Sequence, residues 1–162
     1  KDRIVPDCIK AWSNKLPVSI RSSYSTRPWQ HVLEPINGYL NLAYKLEFNK
    51  KINGESFNFG PSKTKNYNVE EIITFFKKFF PNLKYKVLKN HTFFESKLLK
   101  LNCEKAKKLL NWKQSLNITQ TVFFTATWYA KYLNKKKYDM QKVSINQIKE
   151  FMKLKDEQIK KN

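Results

Sequence analysis

Short strand-like runs alternate with amphipathic helical patterns along this chain, and this alternation limits its fold more than any other feature. The strand-like runs lie at 17–21, 29–33, 56–59, 83–88 and 98–101. Strands that alternate with helices are typical of α/β proteins, in which parallel strands are joined through helices. The sequence therefore predicts an α/β fold.

Helical segments are marked by capping residues and by apolar residues three and four positions apart. The predicted helices lie at 3–14, 34–46, 68–80, 102–110 and 117–133. Asn68 and Asn117 are predicted N-caps, because their side chains accept backbone amides well. The helix that opens at Glu34-Pro35 has an apolar stripe, which we expect to face the core: Ile36, Tyr39, Leu40, Ala43 and Leu46.

The length of 162 residues suits roughly one domain. We divide it into a main part at 1–134 and a basic helical tail at 135–162, in which a polar helix begins at Ser144. The predicted apolar face of that helix consists of Ile145, Ile148, Phe151 and Met152. No apolar stretch approaches the ~20 residues of a membrane span, and no export signal is visible. We expect a cytoplasmic protein with no membrane partner.

The two cysteines and two histidines do not have the spacing of metal ligands. Cys8 and Cys103 lie far apart in helix-like segments, so we interpret both as buried free thiols in a reducing compartment. His31 and His91 have no carboxylate or cysteine at ligand spacing. No metal site is predicted.

A net charge of +19 raises the question of a nucleic-acid partner. Only three of the 32 basic residues are arginines, and the lysines are spread over the whole length. A protein that recognises nucleic acid would be expected to cluster its charge and to use arginine for bidentate contacts. We therefore interpret the charge as a solvated surface without a nucleic-acid partner. The alternative is a basic module that binds RNA or an anionic membrane surface.

The usual signatures of catalysis are missing from these 162 residues. Three glycines are too few and too scattered for a GxGxxG dinucleotide loop. The YxxxK spacing of short-chain dehydrogenases occurs at Tyr85/Lys89, Tyr132/Lys136 and Tyr138/Lys142. The first pair lies on a predicted strand, where such positions are ~13 Å apart, and the others lie at a helix end and in the tail. No catalytic residue is predicted.

One run does resemble a known family. TRPWQHVLEPINGYLNLA, at 26–43, resembles the run TRPWQHVLEPLxGYLxLA of CDP-glucose 4,6-dehydratases, which belong to the extended short-chain dehydrogenase/reductase superfamily. Flanking segments agree in order and spacing: DRIVPDCIKAW, PVSIR, FNFGPS, LLKLNCEKAKKLLNWKQ, WYAKYL and DMQKVSINQIKEFM. Departures include Asn102 for aspartate, Asn111 for glycine and Gln114 for proline, and the residues around Glu95 are shifted.

The resemblance implies an incomplete enzyme, the C-terminal half of an extended short-chain dehydrogenase. Residues 1–134 would form the substrate-binding lobe together with the last strands and helices of a Rossmann-type parallel sheet, which return to it. In this family NAD takes a hydride from C4 of CDP-glucose, water leaves across C5–C6, and the hydride returns to C6. The catalytic residues and NAD loop lie in the N-terminal half, so we expect this lyase fragment to be inactive alone and the complete enzyme to be a homo-oligomer.

A related substrate is the alternative within the same superfamily. GDP-mannose or dTDP-glucose would then replace CDP-glucose, and the enzyme could be an epimerase. Those relatives typically have different residues in place of the WQHVLEP run, which favours the CDP-glucose enzymes.

All three arginines fall within the first 27 residues, inside the family-like segments. A diphosphate is bound best by planar, permanently charged donors, which lysine does not supply. By position, Arg27 resembles the family's diphosphate-binding arginine and Arg3 the basic residue that begins the substrate helix. Arg21 is a third candidate, for which a surface role is the alternative.

The resemblance also implies neutral contacts to the nucleotide. The segment from Pro17 to Ile20 would line the nucleobase and ribose, and Asn58 would approach the ribose or a phosphate. The alternative for Asn58 is a structural role in which it satisfies strand ends. The predicted core tryptophans are Trp29, Trp112 and Trp128.

We expect residues 1–162 alone not to bind NAD, because no glycine-rich loop or ribose-binding acid follows a predicted strand. Isothermal titration calorimetry of the chain with NAD measures this directly. Binding in the micromolar range would contradict the interpretation as a C-terminal half.

Overall fold

The computed structural model describes residues 3–61, 65–88 and 98–160. The helices and strands follow one another along the chain as α1 Ile4–Ser13, β1 Val18–Ile20, α2 Leu33–Phe48, α3 Val69–Lys77, β2 Tyr85–Val87, α4 Glu104–Leu110, α5 Ile118–Leu133 and α6 Met140–Lys160. Short 3-10 turns lie at Lys50–Ile52 and Lys135–Lys137. Among these residues no helix is both long and apolar enough to cross a membrane.

Two parallel strands form the sheet in the described part of the chain. Val18 is aligned with Tyr85 and Ile20 with Val87. The predicted strands at 17–21 and 83–88 are thus confirmed. Val18 and Ile20 point into the core, whereas Ser19 between them is exposed, as the two-residue period of a strand requires.

The other predicted strands at 29–33 and 56–59 are wrong as secondary structure. Neither segment is assigned to a strand, and α2 already begins at Leu33. They are joined instead by a side chain, because Gln30 Nε2 donates to the carbonyl of Phe59 at 2.8 Å. A parallel strand requires backbone partners along its length, and β1 and β2 are the only paired strands among the described residues. Segment 98–101 contributes a single bridge, from Leu98 to Thr26.

The helix starts that capping residues predicted are confirmed. Asn68 Oδ1 accepts from the amide of Glu71 at 2.8 Å, and the Glu71 carboxylate accepts from the amide of Asn68 at 2.9 Å. Asn117 and Gln120 form the same reciprocal pair at the start of α5. The tail helix begins at Met140, before the predicted Ser144.

The orientation predicted for α2 is wrong. Tyr39 and Leu40, expected in the core, are exposed, and Gly38 is buried instead. Because Gly38 has no side chain, this face of α2 can pack closely against Phe59. A Cβ at Gly38 would lie only 2.5 Å from the Phe59 ring. The exposed side, named here the outer face of α2, consists of Val32, Ile36, Tyr39 and Leu40.

The largest group of buried side chains lies between α1, β1, α3 and α5. Its members include Cys8, Ile20, Ile73 and Val122. Burial, with a smaller contribution from the charge of Asp7, raises the pKa of the Cys8 thiol to about 12, which agrees with an inert free thiol.

Two smaller clusters complete the core. Trp112 is buried with Phe59 and Leu110, which confirms its predicted core position, whereas Trp29 and Trp128 are half-buried. The third cluster joins Leu116 and Phe124 to the tail helix.

The tail helix α6 packs by a mostly polar stripe, and its predicted apolar face is only partly correct. Phe151 is buried as expected, whereas Ile145, Ile148 and Met152 are exposed. Polar side chains on the packed side bond to the rest of the chain: Ser144 with the indole of Trp128, Gln147 with the Phe124 carbonyl, Lys155 with Asn37 and Gln158 with the Ser115 carbonyl. The division into a lobe and a tail at 134 stays a prediction.

A fully buried carboxylate joins α2 to the segment that leads into α5. Glu34 is 0% exposed, and its Oε1 accepts from the amides of Ser115 at 2.9 Å and Leu116 at 2.6 Å. Its Oε2 also accepts from Ser115, at 3.1 Å. Burial raises the pKa of Glu34, and the two backbone hydrogen bonds oppose that rise.

We expect Glu34→Gln to lower the free energy of unfolding by about 1–3 kcal/mol. The NH2 group that replaces one carboxylate oxygen would face a buried backbone N–H, which would then lose an acceptor. Urea denaturation followed by circular dichroism measures the change. Glu47→Gln is the matched control, since Glu47 is exposed on the same helix. Equal midpoints for the two variants would show that the Glu34 bonds do not stabilise the fold.

Candidate functional site

The polar turn at 22–28 is fixed to the first turn of α3. The amide of Val69 donates to the Ser25 carbonyl at 3.2 Å, and that of Glu70 donates to the Ser23 carbonyl at 3.1 Å. With Glu71 bonded to Asn68, the first three amides of α3 all have acceptors. The turn therefore caps the N-terminus of this helix and is itself held in a defined position.

Further contacts extend this rigidity to both ends of the turn. The hydroxyls of Ser22 and Ser25 lie 2.7 Å apart, and Thr26 forms bridges with Asn68 and Leu98. After the turn, the indole of Trp29 donates to the Tyr67 carbonyl at 2.7 Å. The residues between these anchors are consequently held from both sides.

Arg27 lies between these anchors and is half-buried. Its Nη1 donates to the Thr26 carbonyl at 2.8 Å, which restrains the guanidinium. Arg27 lines a cavity of about 160 Å³, named here the Arg27 cavity. Its other lining residues are Pro28, Trp29, Pro61, Lys65, Asn66, Tyr67, Leu99, Lys100, Leu101, Gln114, Asn117 and Ile118.

The Arg27 cavity is cationic. Arg27, Lys65 and Lys100 line it, and none of its described lining residues is acidic. Lys65 is partly neutralised by Glu71, whose carboxylate lies 3.1 Å from Nζ, on the surface. The first residues of α5 also border the cavity, and the start of a helix carries a partial positive charge. The arrangement can bind an anion such as a phosphate group.

The other predicted nucleotide contacts on α1 and β1 do not line this cavity. Arg3 is exposed at the N-cap of α1, where its amide donates to Asp7 at 3.1 Å. Pro17 is exposed just before β1, and Ile20 is 3% exposed within the main core. Their assignment as substrate contacts stays a prediction.

Arg21 and Asn58 also lie outside the lining of the Arg27 cavity. Arg21 is half-buried and directly follows β1. Asn58 is exposed, and its Nδ2 donates to the Asn102 carbonyl at 3.3 Å. That bond joins two irregular segments, so Asn58 does not satisfy strand ends as the alternative supposed, and its assignment as a substrate contact stays a prediction.

The described residues of the rejected YxxxK pairs lie in the kinds of segment that the sequence predicted for them. Tyr85 lies on β2 and donates to Glu70, and this hydrogen bond is the main cause that raises the pKa of its phenol. Tyr132 lies near the end of α5, and Tyr138 lies in the connection to α6. Three residues considered at the sequence level lie outside the described residues: Lys89, His91 and Glu95. Within the described ranges, no three His, Cys, Asp or Glu side chains form a group that could hold a metal ion.

Sequence reasoning missed a second and larger cavity, of about 510 Å³, named here the His31 cavity. It is lined by residues of α1, α3, α5, α6 and segment 29–33. Trp29 and Ile118 line both cavities and so form the wall between them. The signal in the sequence was the row of Thr121, Thr125 and Trp128 on one side of α5, but no pattern showed that four other segments meet it.

His31 is the buried titratable group of this second cavity. It is 7% exposed, its Nδ1 accepts from the amide of Leu33 at 3.4 Å, and its ring meets the edge of Phe124. Burial lowers the pKa of His31 to about 4. The imidazole is therefore neutral at physiological pH, with its proton on Nε2.

Comparison with known proteins supports the resemblance. No family model matches the chain. The chain is 34% identical to CDP-glucose 4,6-dehydratase of Salmonella typhimurium over 156 residues, which is 94% of this chain and 42% of that protein. The resemblance predicted from the TRPWQHV run is thus confirmed.

Solved structures agree on the fold. UDP-glucuronic acid 4-epimerase of Bacillus cereus, solved with UDP-glucuronic acid and NAD, matches with a TM-score of 0.68 and 21% identity over 81% of this chain and 40% of its own. dTDP-glucose 4,6-dehydratase of Bacillus anthracis, solved with NAD, matches with a TM-score of 0.61 and 16% identity over 80% of this chain and 39% of its own. The predicted α/β fold class, with part of a Rossmann-type parallel sheet, is confirmed. The chain spans about two fifths of the length of these relatives.

We expect the chain to lose stability as the pH falls from 6.5 to about 4, because the unfolded state binds a proton that buried His31 does not. The pKa difference corresponds to about 3 kcal/mol. His31→Asn keeps an acceptor for the Leu33 amide but cannot titrate, so its urea midpoint should depend less on pH over this range. Parallel profiles for the two proteins would assign the pH dependence to other groups.

Proposed function

We propose that this chain is the C-terminal, nucleotide-sugar-binding part of an NAD-dependent CDP-glucose 4,6-dehydratase, a lyase. The single observation that supports the proposal best is the position of Arg27. It belongs to the TRPWQHV run that carries the resemblance, and it lies on an anchored turn at the wall of a cationic cavity. The 34% identity to the Salmonella typhimurium enzyme favours CDP-glucose as the substrate.

The role of Arg27 is to bind the diphosphate of the sugar nucleotide. Its guanidinium offers charge-assisted hydrogen bonds of fixed geometry, and Pro28 favours an extended backbone at Arg27. Lys65 and Lys100 add positive charge at the same cavity, where it lowers the free energy of a bound dianion. The neighbouring Trp29 excludes water from one side, because its indole is held by the Tyr67 carbonyl.

The described residues do not fit NAD. Gly38 lies inside α2, Gly54 has a positive φ of 77° in an exposed turn, and Gly60 packs against Leu101. None forms the glycine-rich turn between a strand and a helix that receives a dinucleotide pyrophosphate. We therefore assign NAD binding, and the hydride transfer that NAD supplies, to an N-terminal half, and we derive no catalytic step from this chain.

The complete enzyme on this proposal has two parts. The chain would supply the substrate-binding lobe, and the N-terminal Rossmann half would supply the cofactor and the catalytic residues. We propose that the complete enzyme works in the cytoplasm as a homo-oligomer. The relatives are roughly twice as long as this chain, which supports the existence of a second half.

A second candidate is a dehydratase or epimerase that acts on another sugar nucleotide. The similarity in fold to the Bacillus cereus UDP-glucuronic acid 4-epimerase favours it. Arg27 does not discriminate between the two, because CDP-, UDP- and dTDP-sugars share the diphosphate that it would bind. Competition among CDP-glucose, UDP-glucose and dTDP-glucose for the assembled enzyme distinguishes the candidates.

We expect Arg27→Lys to raise the KM for CDP-glucose by roughly tenfold or more in an enzyme that combines this chain with an N-terminal half. Charge-assisted hydrogen bonds to a diphosphate are each worth about 1.5–3 kcal/mol, and lysine cannot reproduce the planar pair. The value of kcat should change little, because the phosphates do not react. Steady-state kinetics on the two proteins measures both constants.

Arg21→Lys is the matched control, since Arg21 is a half-buried arginine that does not line the Arg27 cavity. It should change the KM less than Arg27→Lys does. A large effect of Arg21→Lys with none of Arg27→Lys would show that the wrong arginine was assigned. If neither variant changed the KM, the proposed diphosphate site would be wrong.

A further inference from the structure

A third cavity lies where α2, α6 and the segment between α4 and α5 meet. It has a volume of about 250 Å³ and is named here the Lys155 cavity. Its lining is mostly polar and includes Asn37, Asn41, Lys113, Ser115, Lys155 and Gln158. None of its lining residues lines the Arg27 cavity or the His31 cavity, so it is a separate recess.

Hydrogen bonds hold the walls of the Lys155 cavity together. Lys155 Nζ donates to Asn37 Oδ1 at 2.8 Å, which joins α6 to α2. Gln158 Nε2 donates to the Ser115 carbonyl at 2.7 Å, which joins α6 to the segment ahead of α5. Three elements distant in sequence thus fix the polar side chains around the space.

The lining of the Lys155 cavity is positively charged. Lys113 and Lys155 line it, and none of its described lining residues is acidic. Asp156 and Glu157, which follow Lys155 in the sequence, border a different recess on α6. Glu34 is fully buried and its carboxylate accepts backbone amides, so it does not occupy the donors of the cavity.

The two lysines lack a negatively charged partner. Among the described residues only three lysines are half-buried: Lys45, Lys105 and Lys155. Lys105 forms an ion pair with Glu55. Lys155 instead donates to a neutral amide, which uses one of its three N–H groups. No carboxylate in the described part of the chain forms an ion pair with Lys113 or Lys155. Because removing an ammonium group from water costs free energy, a bound anion would stabilise this arrangement.

Size and charge indicate a phosphate group as the anion. Pockets for drug-sized ligands have volumes of roughly 300–1,000 Å³, so about 250 Å³ suits a smaller molecule. A phosphate monoester carries a charge of roughly −1.5 to −2 at pH 7, which matches two ammonium groups, whereas a carboxylate would balance only one. The side-chain amides of Asn37 and Asn41 can bond to hydroxyl groups beside the phosphate.

We propose that the Lys155 cavity binds a phosphate group, either free or as the monoester of a small polar molecule. Lys113 and Lys155 donate to the phosphate oxygens, and the amides on α2 bond to the rest of an ester. The inference does not rest on the proposed function, because the Arg27 cavity has none of these residues in its lining.

The site lies on a segment that it shares with the Arg27 cavity. Lys113 and Ser115 line the Lys155 cavity, whereas Gln114 and Asn117 line the Arg27 cavity. A phosphate group held by Lys113 restrains this segment from one side. Occupation of the Lys155 cavity therefore supports one wall of the Arg27 cavity.

Titration of the 15N-labelled 162-residue chain with inorganic phosphate, followed by NMR, tests the proposal. The backbone amide signals of Lys113 and Lys155 should shift along a saturating curve at constant ionic strength. Signals of Tyr67 report on the Arg27 cavity and are fitted separately, because that cavity can also bind an anion. Absence of a saturating shift at Lys113 and Lys155 with every phosphate probe would overturn the proposal.

Two further probes identify the form in which the phosphate is bound. Glycerol 3-phosphate should bind more tightly than inorganic phosphate if the site takes an ester, and the two should bind equally if it takes free phosphate. Either result supports a phosphate site. Glycerol alone should cause no shift, and binding of glycerol as tight as that of its phosphate would overturn the proposal.

Substitution of the two lysines gives the decisive comparison. Lys113→Met and Lys155→Met should each raise the Kd about tenfold or more, because each removes a charge-assisted hydrogen bond. Lys108→Met and Lys153→Met are the matched controls, since both lysines are exposed on neighbouring helices and do not line the cavity. The controls should change the Kd less than about twofold, because salt screens exposed charges.

Lys113→Met keeps the test valid if Lys155→Met destabilises the fold. Lys155 bonds to Asn37, whereas Lys113 is exposed and makes no such bond among the described residues. An unchanged Kd in Lys113→Met, or an equal loss of affinity in Lys108→Met and Lys153→Met, would overturn the proposal. The first result would exclude contact with Lys113, and the second would show attraction to the overall charge alone.

Discussion

The buried carboxylate of Glu34 is the interaction on which the arrangement of the helices depends. It takes the amides of Ser115 and Leu116 at the point where the chain turns into α5, and it does so from the first turn of α2. Gln158 of α6 bonds to the carbonyl of the same Ser115 at 2.7 Å. An isolated buried carboxylate is costly, so these hydrogen bonds favour one relative position of α2, α5 and α6.

A second constraint, the fixed turn at 22–28, places two recesses of opposite character side by side. The turn satisfies the first amides of α3, and the chain leaves it through Arg27 and then Trp29. Arg27 therefore faces a small cationic cavity, while Trp29 separates that cavity from a large apolar one. The first can bind an anionic group, whereas the second offers mostly apolar surface. The physical difference between them is the presence or absence of charge in the lining.

Local interactions explain which parts of the fold were predictable. The capping pairs at Asn68 and Asn117 depend on residues three positions apart, and both were found from the sequence alone. Strands 29–33 and 56–59 were predicted wrongly because pairing depends on neighbours that a local pattern does not contain. Likewise, the stripe on α2 was correctly identified as apolar, but its direction was not, since the close contact of Gly38 with Phe59 turned the opposite side inward.

The sequence by itself determined the helix boundaries near their caps and the family resemblance, and it made Arg27 a candidate, because each depends on residues adjacent along the chain. Tertiary structure alone decided that Ile20 and Glu34 are buried, that α6 packs by polar side chains, and that five segments enclose the His31 cavity. Burial and enclosure arise from contacts between distant residues. The pKa of His31 shows the same difference. Its ordinary value is a property of the side chain, whereas its fall to about 4 is caused by the desolvation that only the folded chain imposes.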